Sequence, residues 1–184
     1  MHIMYRKINL QLPPVELSRV KGDVFFEYHG GVLVVYRIKD IDYFENLYKD
    51  RIQFDIKPDL MAYIEIVGPG AMPHTDEAAT TLNYTIDDAN CITSFWRVNE
   101  NAKTVPTDRT DEQGNTIKSK VIGYNESDLI RLTSFKANPG DAYLLDVSKI
   151  HSVFKPKQDT VRKFVSWRWI NTSFDQVASS IKIL

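Results

Sequence analysis

A chain of 184 residues with 43% hydrophobic and 26% charged residues is long enough to bury a core and has the make-up of an ordinary globular domain. A formal net charge of −1 gives no global electrostatic reason to bind nucleic acid or an anionic membrane. The single Cys91 excludes a disulfide framework and a thiolate metal site and fits a reducing compartment.

The first residues, Met1-His2-Ile3-Met4-Tyr5-Arg6, lack the apolar run of a signal peptide, and no segment is long and apolar enough to span a bilayer. A cytoplasmic location without membrane association is therefore expected. Ile8-Asn9-Leu10-Gln11-Leu12 alternates apolar and polar before Pro13-Pro14 and predicts an opening strand. Asp23–Tyr28 and Val32–Ile38, rich in β-branched and aromatic residues, flank Gly30-Gly31 as a hairpin. Asp40 to Arg51 predicts a helix, with Asp40 as cap and Ile41, Phe44, Leu47 and Tyr48 at helical spacing.

A strand over Leu60–Val67 ends at Gly68-Pro69-Gly70, and two more, Thr80–Ile86 and Cys91–Trp96, are joined through Asp87-Asp88-Ala89-Asn90. Residues 98–128 turn strongly polar, with Gln113-Gly114-Asn115 at a turn, and predict a long hairpin or flap. Leu129–Ala137, Ala142–Asp146 and Val161–Ile170 complete the strands, and Phe174–Ile183 suits a closing helix capped by Ser173. No repeat or linker divides the chain, so one domain over 1–184 is expected. Eight or more strands with few helices predict a mainly β fold, a double-stranded β-helix (jelly roll, cupin-like) with helices packed outside.

Within this frame Met72-Pro73-His74-Thr75-Asp76 follows a buried-looking strand and a Gly-Pro-Gly turn. If the stretch is extended, His74 and Asp76 share a face. His151, which follows an apolar strand and a short loop, can supply a third ligand. Two histidines and one carboxylate with open positions form the facial triad of non-haem iron oxygenases. On Val161–Trp169, alternation puts Arg162, Phe164, Ser166 and Arg168 on one face and Lys163, Val165, Trp167 and Trp169 on the other. Two arginines on one face of an apolar strand need anionic partners if buried. A dicarboxylate would supply them through paired, charge-assisted hydrogen bonds. Pairing of Arg168 with a protein carboxylate is the other reading. Asn83 and Tyr84 point to opposite faces of their strand, so at most one points inward. Tyr63, Tyr143 and Trp96 read as core aromatics.

These pieces in order, with Leu82-Asn83-Tyr84-Thr85-Ile86, Thr93-Ser94-Phe95-Trp96, Pro139-Gly140-Asp141 and His151-Ser152-Val153, resemble the Fe(II)/2-oxoglutarate-dependent dioxygenase superfamily. The likeness is to its small phage and bacterial, prolyl-hydroxylase-like members and covers about residues 60–170. The resemblance implies Fe(II) on His74, Asp76 and His151, with 2-oxoglutarate and O2 as co-substrates. It implies Arg162 on the distal carboxylate of 2-oxoglutarate and Asn83 near oxoglutarate or substrate. Ser166 is a second candidate contact, although Phe164 stands where the hydroxyl is usual. Arg168 is another, because the spacing of the two arginines is similar to that of the alkylation-repair demethylases. Related halogenases carry a small residue in place of Asp76, so the resemblance is to a hydroxylase or demethylase releasing succinate and CO2. The primary substrate stays open between a protein side chain, a small metabolite and a nucleobase. A non-catalytic jelly-roll binding or structural protein with a vestigial metal site is the alternative, and a cupin-like metalloenzyme without oxoglutarate a third reading.

Overall fold

Strands that alternate apolar and polar residues can each give one face to a core, and such strands dominate this chain. The computed structural model describes residues 3–28, 32–87, 90–100, 102–110, 114–157 and 159–184. Among them the first elements are β1 (Tyr5–Ile8), the single turn α1 (Leu17–Val20), β2 (Val24–Tyr28) and β3 (Val32–Arg37). Helix α2 (Ile41–Tyr48) and β4 (Ile52–Phe54) lead into β5 (Leu60–Val67), β6 (Gly70–Thr75), β7 (Thr80–Asp87) and β8 (Ile92–Val98). Then come β9 (Thr104–Thr110), β10 (Thr116–Tyr124), β11 (Leu129–Lys136), β12 (Ala142–Asp146), β13 (His151–Phe154) and β14 (Arg162–Trp169). Helix α3 (Phe174–Ser180) and β15 (Ile181–Ile183) follow last. No helix among the described residues is long and apolar enough to cross a membrane.

The pairing is that of a double-stranded β-helix. One antiparallel sheet runs β12-β7-β14-β5 and the other β6-β13-β8-β11. Counted along these eight core strands, that is a 6-3-8-1 sheet facing a 2-7-4-5 sheet, the jelly-roll order. β1 extends the first sheet beside β12, and β3 and β2 extend it beside β5. The polar stretch at 98–128 contains the β9–β10 hairpin. β9 pairs with β2 and β10 with β6, so the ladder continues from one sheet into the other on that side. On the opposite side the sheets meet through side chains: the Tyr5 ring lies 4.4 Å from that of Phe135, and its hydroxyl is 3.5 Å from Thr133 Oγ1.

The main core lies outside the first sheet, where the helices pack. The outward face of β14, Val165, Trp167 and Trp169, is fully buried together with Leu82 of β7 and Phe44 of α2. Phe44 stacks on Trp167 at 5.3 Å between centroids, and Tyr48 meets the same indole edge-on at 5.4 Å. Such aromatic pairs add about 0.5–1.5 kcal/mol beyond the area they bury. Helix α2 starts where Asp40 accepts the Tyr43 N–H at 2.9 Å, which satisfies one of the orphan donors of the first turn. Between the sheets lie two smaller clusters, one around Phe95, Tyr143 and Leu145 and one around Val35, Ile64, Ile66 and Phe164.

Several expectations shift. The opening strand is Tyr5–Ile8, not Ile8–Leu12, because residues 5–8 are the ones that pair with β12. Leu10 is still buried, at 2% exposure, so the alternation reported burial but not pairing. Ile41 is exposed at 44%; in the first turn of α2 it points away from the face that Phe44, Leu47 and Tyr48 bury. The closing helix ends at Ser180, and Ile181–Ile183 instead pairs with Ile52–Phe54, as suits its β-branched residues. Ser173 caps α3 as expected, its N–H and hydroxyl both donating to Gln176 Oε1 at 3.1 and 2.8 Å. The turns expected at Gly30-Gly31 and at Asp88-Ala89, and Gln113 of the flap, lie outside the described residues.

Candidate metal centre

The strand that carries His74 begins at Gly70, whose φ is +120°. A side chain there would collide with the Val153 carbonyl, so only glycine lets β6 approach β13 this closely. Along that ladder His151 faces His74, yet Val153 faces Ala71. β6 thus carries one extra residue, a bulge at Met72-Pro73 opposite Ser152. Pro73 has no N–H to give a ladder and suits the bulge. In a regular strand Ala71 and His74 would face opposite ways; with the bulge both line the cavity between the sheets.

His74 and His151 are buried, at 3% and 6% exposure, with ring centroids 4.4 Å apart. In each, Nδ1 lies against the carbonyl two residues back: Met72 O at 2.6 Å for His74 and Lys149 O at 3.0 Å for His151. A carbonyl only accepts, so the proton belongs on Nδ1 and the Nε2 lone pair is left to face the site. Asp76 follows β6, its N–H donating to Val147 O at 3.0 Å. Its Oδ1 lies 3.3 Å from His74 Nε2, and its Oδ2 accepts from Arg168 Nη2 at 2.9 Å. One ligand atom from each of His74, Asp76 and His151 falls within 4.8 Å of the others. Burial alone would raise the Asp76 carboxyl, but the Arg168 guanidinium, joined by the imidazoles whenever they are protonated, outweighs it and holds the group well below the usual carboxylate range. The cluster offers a dication two neutral nitrogens and one anionic oxygen, a donor set suited to a first-row metal.

The same cavity extends to Arg162 at the start of β14. Arg162 is 4% exposed, and its Nη1 donates to Thr93 Oγ1 across the cavity at 3.1 Å. Leu33, Ile64, Leu145, Val153 and Phe164 make much of the wall apolar, so the few polar groups stand out. Besides Arg162, those on β7 and β14 of the first sheet form two cross-strand pairs, Ser166 with Asn83 and Arg168 with Thr81. Thr81 Oγ1 and Asn83 Oδ1 are buried without a hydrogen-bond partner among the described residues. In a cavity wall such atoms mark where a polar ligand can complete the bonding.

All seven residues singled out in the sequence, His74, Asp76, His151, Arg162, Ser166, Arg168 and Asn83, line this one cavity. Tyr84 turns to the helix-side core instead. Arg168 sits on a protein carboxylate, one of its two expected roles. Thr93 and Thr81 were missed. A hydroxyl at an inward position of an otherwise apolar strand was the available signal, and threonine's ordinary β-propensity hid it. No described residue of the 98–128 segment lines the cavity.

No protein-family model matches the chain, and no curated protein matches it in sequence. Solved structures similar in fold include E. coli ycfD, with a TM-score of 0.47 and 10% identity over 96% of this chain and 52% of that one. Oxalate decarboxylase from Bacillus subtilis gives a TM-score of 0.34 and 11% identity over 80% of this chain and 26% of that one. Procruciferin, an 11S globulin from Brassica napus, gives 0.28 and 12% over 98% and 34%. The chain therefore spans about half the length of ycfD and about a quarter of the decarboxylase. At these values the likeness is one of general chain path.

Proposed function

We propose that the chain is an Fe(II)- and 2-oxoglutarate-dependent oxygenase that hydroxylates, or oxidatively demethylates, a substrate still to be identified. One observation carries the reading: the His74–Asp76–His151 cluster and the buried Arg162–Thr93 pair line one largely apolar cavity. In this reading iron supplies the oxygen chemistry, converting 2-oxoglutarate and O2 to succinate and CO2 with one oxygen atom passing to the substrate.

The protein's part is to hold and orient. His74 and His151 offer Nε2 while their Nδ1 protons stay on backbone carbonyls, which fixes each ring. Three protein ligands would leave a bound metal with open positions for a 2-oxo acid and for O2. Arg162 offers N–H donors to the distal carboxylate, and Thr93 braces the guanidinium from the facing sheet. Asn83 and Ser166 lie between the two ends, within reach of the co-substrate's chain or of the substrate. The apolar walls limit water around the metal. A protein side chain, a small metabolite and a nucleobase all fit this reading as primary substrates.

The test is succinate release by the full chain, expected to require Fe(II), 2-oxoglutarate and O2 together and to vanish in a His74→Ala, Asp76→Ala double variant. Calorimetry that finds neither Fe(II) nor Mn(II) binding near neutral pH would sink the reading in favour of a non-catalytic jelly-roll protein. Metal binding with no response to Arg162→Ala would point instead to a metalloenzyme that does not use oxoglutarate.

A further inference from the structure

We infer that Arg168 is a positioning residue for Asp76, holding it as a one-oxygen metal ligand, rather than a second contact to the 2-oxo acid. The inference rests on the metal site proposed above.

The two oxygens of Asp76 are divided between two directions. Oδ2 accepts from Arg168 Nη2 at 2.9 Å, while Oδ1 faces His74 Nε2 at 3.3 Å. Turning both oxygens toward one ion would strain the buried, charge-assisted hydrogen bond that Oδ2 accepts from Arg168. The anchors on either side are firm. Asp76 is tied by its N–H to Val147 O. Arg168 lies within a central strand, with Leu60 on one side and Thr81 on the other. It is only 9% exposed, so its guanidinium has little freedom to leave Asp76 for a ligand.

Charge leads the same way. A buried carboxylate without a counter-charge is strongly disfavoured, and Arg168 supplies that charge to Asp76 before any metal arrives. Arg162, at the far end of the cavity, donates to the Thr93 hydroxyl. In the proposed site the two arginines, six positions apart on one face, divide the work: Arg162 addresses the ligand and Arg168 the ligand-binding carboxylate. A single-oxygen Asp76 occupies one coordination position instead of two, which keeps room at the metal for both the 2-oxo acid and O2.

The test separates metal affinity from oxoglutarate affinity in the full chain. Mn(II) is titrated calorimetrically into wild type, Arg168→Met and Arg168→Lys, and 2-oxoglutarate is then titrated into each at saturating Mn(II). Arg168→Met is expected to lose about 10–100-fold in Mn(II) affinity, as removal of a group supporting a ligand typically does. Arg168→Lys should recover part of that loss, and oxoglutarate affinity at saturating metal should stay near that of wild type in both. A purely structural arginine would not give this split between metal and co-substrate. Unchanged Mn(II) affinity in both variants, or a loss confined to oxoglutarate, overturns the inference. If Arg168→Met does not fold, Arg168→Lys decides: Mn(II) affinity below wild type with oxoglutarate affinity retained supports it, and the reverse defeats it. Wild-type protein that binds no metal defeats the proposed oxygenase and this inference together. Wild-type binding with indifferent Arg168 variants defeats only the inference.

Discussion

His74 and His151 stand directly opposite one another on β6 and β13, and each turns its Nδ1 to the carbonyl two residues before it. The repeated arrangement follows from the ladder itself, since each strand's own backbone fixes the ring that the strand presents. The two rings therefore face the cavity as a pair. Changing either histidine to alanine should reduce Mn(II) affinity by more than about 100-fold, beyond what loss of a supporting group gives. Calorimetry on the two single variants checks this, and near-wild-type binding by either would remove that residue from the ligand set.

Thr93 offers a gentler probe of the far end of the cavity. Its hydroxyl accepts from Arg162 Nη1 at 3.1 Å, and valine keeps the shape while removing the acceptor. Without that brace the guanidinium is less well oriented for a carboxylate before it binds. Thr93→Val should therefore weaken 2-oxoglutarate binding roughly tenfold while leaving Mn(II) affinity alone. Sequential titration of metal and then oxoglutarate measures both. A fall in metal affinity instead would mean that Thr93 supports the triad rather than Arg162.

The sequence is informative wherever a period of two governs burial. On β14, Arg162, Phe164, Ser166 and Arg168 do share the cavity face, and Val165, Trp167 and Trp169 the helix-side core, because a central strand with both faces covered must sort its side chains by what each face meets. The same rule places His74 and Asp76 together. It fails at Met72-Pro73, where an inserted residue brings Ala71 to the same side, and Pro73, which suits a bulge but also an edge or a strand start, is too weak a hint to place it. Partners across long separations are also illegible. Arg168 reaches Asp76 over 92 positions, and that choice depends on which strands become neighbours. The polar stretch at 98–128 shows a further limit: hydrogen bonds of a β-hairpin are made by the backbone, so a hairpin can join two sheets without apolar alternation.

Stability should depend most on the aromatic contact outside the first sheet. Phe44 is fully buried and stacks on the fully buried Trp167. Phe44→Ala removes that contact and leaves a cavity, at a cost of about 3–5 kcal/mol. Urea unfolding should show the midpoint falling with little change in slope. Mn(II) affinity of the protein that remains folded should be unchanged, since α2 lies on the other side of the sheet from His74, Asp76 and His151. A matching loss of metal affinity would show that packing outside the sheet governs the site inside it.

A last expectation concerns acid. Asp40 caps α2 by accepting the Tyr43 N–H, and its other oxygen receives Arg19 at 2.6 Å. The backbone N–H and then Arg19 hold its carboxyl below the ordinary value. A carboxylate whose folded pKa is depressed adds stability above its unfolded pKa, about 3.9, and loses that contribution as pH falls through the folded value. Asp40→Asn retains an oxygen that can cap the helix but carries no charge for Arg19 or for the positive end of the helix. The variant should therefore be less stable than wild type at pH about 6, and the gap should begin to narrow below about pH 4 and close as pH falls through the lower folded value, where wild-type Asp40 is itself protonated. Paired thermal melts across that range make the comparison. Because Asp40 lies at the surface the gap will be small, and salt should narrow it at the higher pH. A gap that is independent of pH would assign the effect to helix-cap geometry rather than to charge.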